Sequence, residues 1–179
     1  MMIPNDQELD FLFAGSAEQV DAFLEQHGDE FSKSDRTEFS HAAREESLAA
    51  TRSNVFAWVF AITIDWREED DEIVRLFGKR LPGKLAAEFT DKGLTVSYNE
   101  AVYEIPLSFS PADRYITIRG VAKIIEDGYE IRLMNDSYYS DTHAFILLPH
   151  ASWQRLEQRY GKEQVDEVFR KITDTLDFP

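Results

Sequence analysis

Cysteine does not occur anywhere in this chain of 179 residues. Its absence removes a disulfide framework, a thiolate nucleophile and any cysteine-ligated zinc or iron–sulfur site. Long apolar runs are missing as well: nothing approaches the stretch of about 18 apolar residues that a spanning helix needs, so a membrane protein is not expected. Positive charge is scarce. The 19 Lys and Arg stand against 34 Asp and Glu, a formal net charge of −15. A field of that sign repels nucleic-acid phosphates and anionic membrane surfaces and attracts basic partners. Motifs that define enzyme classes are absent too, with no His-Glu-x-x-His, Walker, Gly-x-Gly-x-x-Gly or Gly-x-Ser-x-Gly spacing. The histidines His27, His41, His143 and His150 are scattered. No catalytic group, metal or cofactor is therefore expected. The N-terminal Met1-Met2-Ile3-Pro4-Asn5-Asp6 lacks a basic region followed by an apolar one, which predicts a soluble, cytoplasmic protein.

What the chain does have is material for a core. Its hydrophobic fraction of 43% and aromatic fraction of 13% match a packed globular protein. A chain of this length buries about 70% of its unfolded surface, enough to fold without a metal or disulfide. One α+β domain over residues 1–179 is expected, with a helical N-terminal part over 1–52 and a sheet plus helices over 55–179. Its centre is read at Val55–Trp66, where Phe56, Trp58, Phe60, Ile62, Ile64 and Trp66 occupy every even position. Large apolar residues at period two, with small ones between them, predict a central strand that buries Trp58. Around it the pattern predicts a mostly antiparallel sheet of about five strands, with the N-terminal helices and a C-terminal helix packed on it.

Before that stretch, Leu9, Leu12 and Phe13 mark a first short helix. Ser16 with Gln19 forms a capping box for a second, which stops near Gly28. Asp35 with Glu38 reads as the next box, opening a third helix towards Thr51. Beyond it, Ile73, Leu76 and Phe77 fall at helical spacing, and Leu85, Ala86 and Phe89 suggest another helical turn or two. Leu94–Tyr98 and Tyr103–Phe109 alternate as a hairpin turning at Asn99-Glu100, with Pro106 consigning the second arm to an edge or bulge. Residues 110–127 read as a helix, with Ser110-Pro111 as cap and first residue, over a rival hairpin. Tyr129–Leu133 and Ala144–Leu148 read as paired strands. Trp153 to Leu176 reads as a two-part helix jointed at Gly161.

Two stretches carry candidate chemistry. The run Glu68, Glu69, Asp70 and Asp71 sits where a helix begins; acids there complement the macrodipole, and they also form a contact for a basic partner. The loop Asp136 to His143 holds Tyr138 and Tyr139, two adjacent aromatics that cannot both turn inward, so it suits a recognition surface with Asp141 beside them. In the same loop, Asp136, Asp141 and His143 offer carboxylates and an imidazole for a cleft. Trp66 and Trp153 read as core.

In general character, being small, cysteine-free and strongly acidic, the chain resembles bacterial immunity or inhibitor proteins that neutralise a toxin. That likeness is one of composition. It implies a non-enzymatic module that binds a basic protein through Glu68, Glu69, Asp70, Asp71, Tyr138, Tyr139 and Asp141. An enzyme or ligand-binding protein using Asp136, Asp141 and His143 is the alternative, and a structural subunit that shows its aromatics to its own copy, a homo-oligomer, is the second.

Overall fold

The computed structural model describes residues 3–110, 113–174 and 176. The fold is α+β, with eight helices and two antiparallel sheets, one of four strands and one of three, among the described residues. Pro111 lies outside them, so the expected Ser110-Pro111 cap does too. The chain divides into two compact units, 2–61 and 62–179. None of the helices in the described residues is long and apolar enough to cross a membrane.

Residues 3–61 fold as four helices, α1 (Asp6–Ala14), α2 (Ala17–Gln26), α3 (Lys33–Glu45) and α4 (Leu48–Phe60). The first three start on capping boxes: Asn5 with Glu8, Ser16 with Gln19, and Ser32 with Asp35. The third box therefore lies three residues before the expected Asp35–Glu38, with Asp35 as its N3 partner rather than its cap. The expected third helix is also two helices. Its path breaks at Glu46 (φ −122°, ψ −102°), and Ser47 caps α4 through the amide of Ala50. Fixing orphan amides in this way is worth about 1 kcal/mol per cap.

The stretch Val55–Trp66, expected as the central strand, is the second half of α4 followed by a short strand, β1 (Ile62–Asp65). Val55, Phe56, Val59 and Phe60 are buried at helical spacing, and Trp58 turns outward at 55% exposure. The even-numbered pattern is compatible with this, because Phe56 and Phe60 are four apart and share a helix face. β-branched Ile62, Thr63 and Ile64 then favour the switch to strand. In the core of this unit Phe11 stacks on Phe23 at 4.4 Å, and Phe60 meets Phe23 edge-on at 6.1 Å.

In residues 62–179 the four-stranded sheet runs β1-β6-β5-β7, with β5 (Tyr129–Met134), β6 (Thr142–Pro149) and β7 (Phe169–Lys171) all antiparallel. The expected pairing of β5 with β6 is present, and the centre of the sheet is this pair. The three-stranded sheet is β2 (Leu85–Thr90), β3 (Gly93–Tyr98) and β4 (Ala101–Pro106). Leu85–Phe89, expected as helical turns, is thus a strand, paired along its whole length with β3. The β3–β4 hairpin turns at Asn99 and Glu100, both at positive φ, as a two-residue hairpin loop requires. Gly93 is obligatory: at φ +135° a Cβ there would lie 2.2 Å from the Ile105 carbonyl oxygen.

Leu107 N donates to the Lys92 carbonyl, one step beyond the Gly93–Pro106 pair. Antiparallel alternation then turns the odd residues of β4 to β3 and the even ones outward. Pro106 occupies an outward position on an edge strand, where the ladder asks for no donor.

Four helices complete the unit among the described residues. α5 (Asp70–Gly78) covers β2, and α6 (Asp113–Ile124) packs on α5, confirming helix over hairpin for that segment. α6 lies close to β4, since a Cβ on Gly120 would come within 2.6 Å of Ile105 Cδ1. α7 (His150–Tyr160) and α8 (Lys162–Val168) meet at Gly161, as expected, but Phe169 begins β7 rather than continuing a helix. The buried Arg132 on β5 ties these parts together. Its guanidinium bonds Glu130 and Glu157 and lies 4.1 Å over the Trp153 ring.

Candidate recognition site

β1 and β6 pair so that Asp65 faces Thr142, and the Thr142 hydroxyl donates to the Asp65 carboxylate at 3.2 Å. One residue further on, Trp66 N donates to the Asp141 carbonyl at 3.1 Å. The segment that leads into α5 and the loop that ends at Asp141 therefore leave the sheet side by side. The two stretches singled out in the sequence, far apart along the chain, emerge at one end of one sheet.

The loop is pinned rather than loose. Asn135–Ser137 forms a single 3₁₀ turn, in which Ser137 Oγ donates to the Met134 carbonyl and accepts from Ala144 N. Asn135 donates to the carbonyls of Asp166 and Glu167 and accepts from Arg170 Nε. The Arg170 guanidinium lies 3.9 Å over the Tyr138 ring, a contact worth about 0.5–2 kcal/mol. Tyr139 stands edge-on to Tyr138 at 4.8 Å and is 87% exposed. An exposed aromatic side chain of that size offers a large contact area to a partner.

Trp66, expected in the core, is 51% exposed, with Arg67 at 4.9 Å from its ring. The signal was present in its neighbours: Asp65 accepts the Arg67 amide in a turn, so the strand has already ended. Trp153 is buried as expected.

The acids divide. Glu69, Asp136 and Asp141 are exposed, and Glu68 and Asp71 are partly so. Asp71 accepts the Glu72 amide, and Glu72 pairs with Arg75 one turn on. Asp70 is turned into the unit, where its carboxylate accepts the Thr117 hydroxyl of α6. Burial pushes the Asp70 carboxyl above its ordinary value; Thr117 opposes this, and the nearby Asp113 and Asp71 add to it.

His143 is buried on β6, with Nδ1 3.0 Å from the Ser137 carbonyl. A carbonyl only accepts, so Nδ1 carries the proton. Burial holds this imidazole below its ordinary value; the Ser137 bond works against that, and the Arg114 charge reinforces it. Of the three residues offered for a cleft, the structure thus buries His143 and leaves Asp136 and Asp141 exposed. No group of three His, Asp or Glu among the described residues is placed to hold a metal.

What this end of the sheet can do chemically is make contacts. It presents two exposed aromatic side chains, each beside an arginine or a second tyrosine, among carboxylates. Comparison with protein-family models, with curated proteins and with solved structures finds no match for this chain.

Proposed function

We propose that the chain is a non-enzymatic module that binds a basic protein, of the immunity or inhibitor type, through the Trp66–Glu69 and Asp136–Asp141 segments. The observation that carries this reading is the exposed Tyr139, edge-on to the pinned Tyr138, in the same loop as the exposed carboxylates of Asp136 and Asp141. Aromatic anchors with a polar, charged rim are the usual anatomy of an energetically focused interface. The net charge of −15 supplies the long-range attraction.

Affinity capture from the native host, followed by stopped-flow kinetics with the captured protein, tests the reading. Replacing Glu68, Glu69 and Asp71 by their amides should lower the association rate and flatten its dependence on salt, with dissociation little changed. Tyr139→Ala should instead speed dissociation, by roughly 30-fold for a hot-spot loss of about 2 kcal/mol. A captured partner that is acidic, or rates indifferent to both variants, would sink the proposal.

A further inference from the structure

At the opposite end of β5 from Tyr138, a cavity of about 380 Å³ opens between the second half of α6, the start of β5, the start of α7 and the segment after β7. Its size is at the small end of ligand pockets, which run about 300–1,000 Å³. A metabolite of amino-acid size fits there. In a chain so rich in acid its lining is balanced, with Arg119, Lys123 and Lys171 facing Glu126, Glu130 and Asp174.

Some of those charges are already engaged with protein groups. Lys171 Nζ lies 3.4 Å from Glu130, which also takes Arg132. His150 Nε2 lies 2.6 Å from the Glu126 carbonyl. Arg119 reaches the Leu176 carbonyl with one terminal nitrogen, but its Nε is buried and has no acceptor among the described residues. A buried N–H of this kind costs about 1–3 kcal/mol unless something in the cavity accepts from it. Lys123, Glu126 and Asp174 make no ion pair among the described residues.

The remaining charges are ordered along α6. Arg119 and Lys123 are one turn apart on one face. Glu126 follows past the helix's C-terminal end, where the macrodipole is negative and an ammonium group is favoured. Asp174 adds a second carboxylate. Tyr129, Ile131 and Ile172 supply apolar wall.

We propose that this cavity binds a small zwitterion, an α-amino acid with an apolar side chain. Arg119 and Lys123 take its carboxylate, and Glu126 and Asp174 take its ammonium group. This is a site separate from the recognition surface and does not depend on it.

The test is amide-resolved NMR titration of the full ¹⁵N-labelled chain with L-leucine, N-acetyl-L-leucine and L-leucinamide, the last two each lacking one of the charges. L-Leucine should shift the amides of Lys123, Tyr129 and Thr173, and both blocked forms should bind at least tenfold more weakly. Lys123→Gln and Glu126→Gln alter exposed side chains, so melting temperature should hold while leucine affinity falls at least tenfold in each. Blocked forms that bind as well as leucine, no shifts at the cavity with any probe, or affinity unchanged in both variants would each overturn the assignment.

Discussion

Two titratable residues in the sheet-bearing unit, the half-buried Asp70 and the buried His143, pull stability in opposite directions with pH. Asp70 has a carboxyl raised by burial above its ordinary 3.8, so the native state holds that proton more tightly than the unfolded chain does. Its contribution is present in full below 3.8 and is lost as pH rises through the folded value. At neutral pH the ionised form is a liability, and Asp70→Asn, which keeps an acceptor for Thr117, should raise the melting temperature. The opposing term, loss of a negative charge at a helix start, is about 0.3–1 kcal/mol, so a lowered melting temperature would show the dipole to outweigh burial. The gain should vanish near pH 3. His143 has the reverse sign. Its imidazole is held below the ordinary 6.5 by burial, so the unfolded chain takes the proton first, and stability is lost as pH falls below 6.5 towards the folded value. His143→Gln should remove that acid-side loss. Chemical denaturation at a series of pH values, on both variants, separates the two slopes.

Among the elements, α4 is where the sequence and the structure part. Phe56 is buried while Trp58, two residues on, lies outside, stacked on Phe31 with its Nε1 donating to the Glu30 carbonyl. Phe56→Ala should therefore cost about 3–5 kcal/mol and Trp58→Ala only about 1 kcal/mol, as urea unfolding can measure. In a strand the two residues would share a face and cost alike. Periodicity could not choose here, because Phe56 and Phe60 satisfy both repeats, and the deciding contacts with Phe31 and Glu30 lie outside the stretch. Where the signal is local it was legible. Ser16 with Gln19 opened α2, and alternation in Leu94–Tyr98 and Tyr129–Leu133 marked both hairpins. The adjacent Tyr138–Tyr139 pair, with Tyr139 exposed, was legible for the same reason. Its fixation was not, since Arg170 belongs to β7, in a segment whose spacing reads as helix. The cavity was hidden likewise: Asp174 joins Arg119 and Lys123 only through the pairing of β7 with β5. Arg132 fastens that same region, and Arg132→Lys should fail to rescue Arg132→Ala, a loss of about 3 kcal/mol. The fork that serves Glu130 and Glu157 while stacking on Trp153 has no ammonium equivalent.

For the whole molecule, the excess of 15 negative charges is a source of self-repulsion as well as of attraction to a partner. Between about 0.01 and 0.15 M salt the screening length falls from about 30 to about 8 Å. The melting temperature should rise over that range, even as partner association slows. Charge also bears on how copies of the chain coexist in a crowded solution. Strand β4 ends the three-stranded sheet with Val102 exposed and its even-numbered amides outward, which is a template for another strand to add to. Pro106, which lacks an outward amide, and Glu104, whose charge would repel its counterpart on an approaching copy, act as gatekeepers against cross-β growth. Pro106→Val together with Glu104→Val would leave the fold and its thermal stability nearly unchanged and produce a chain that seeds fibrils, visible as concentration-dependent thioflavin fluorescence after a lag.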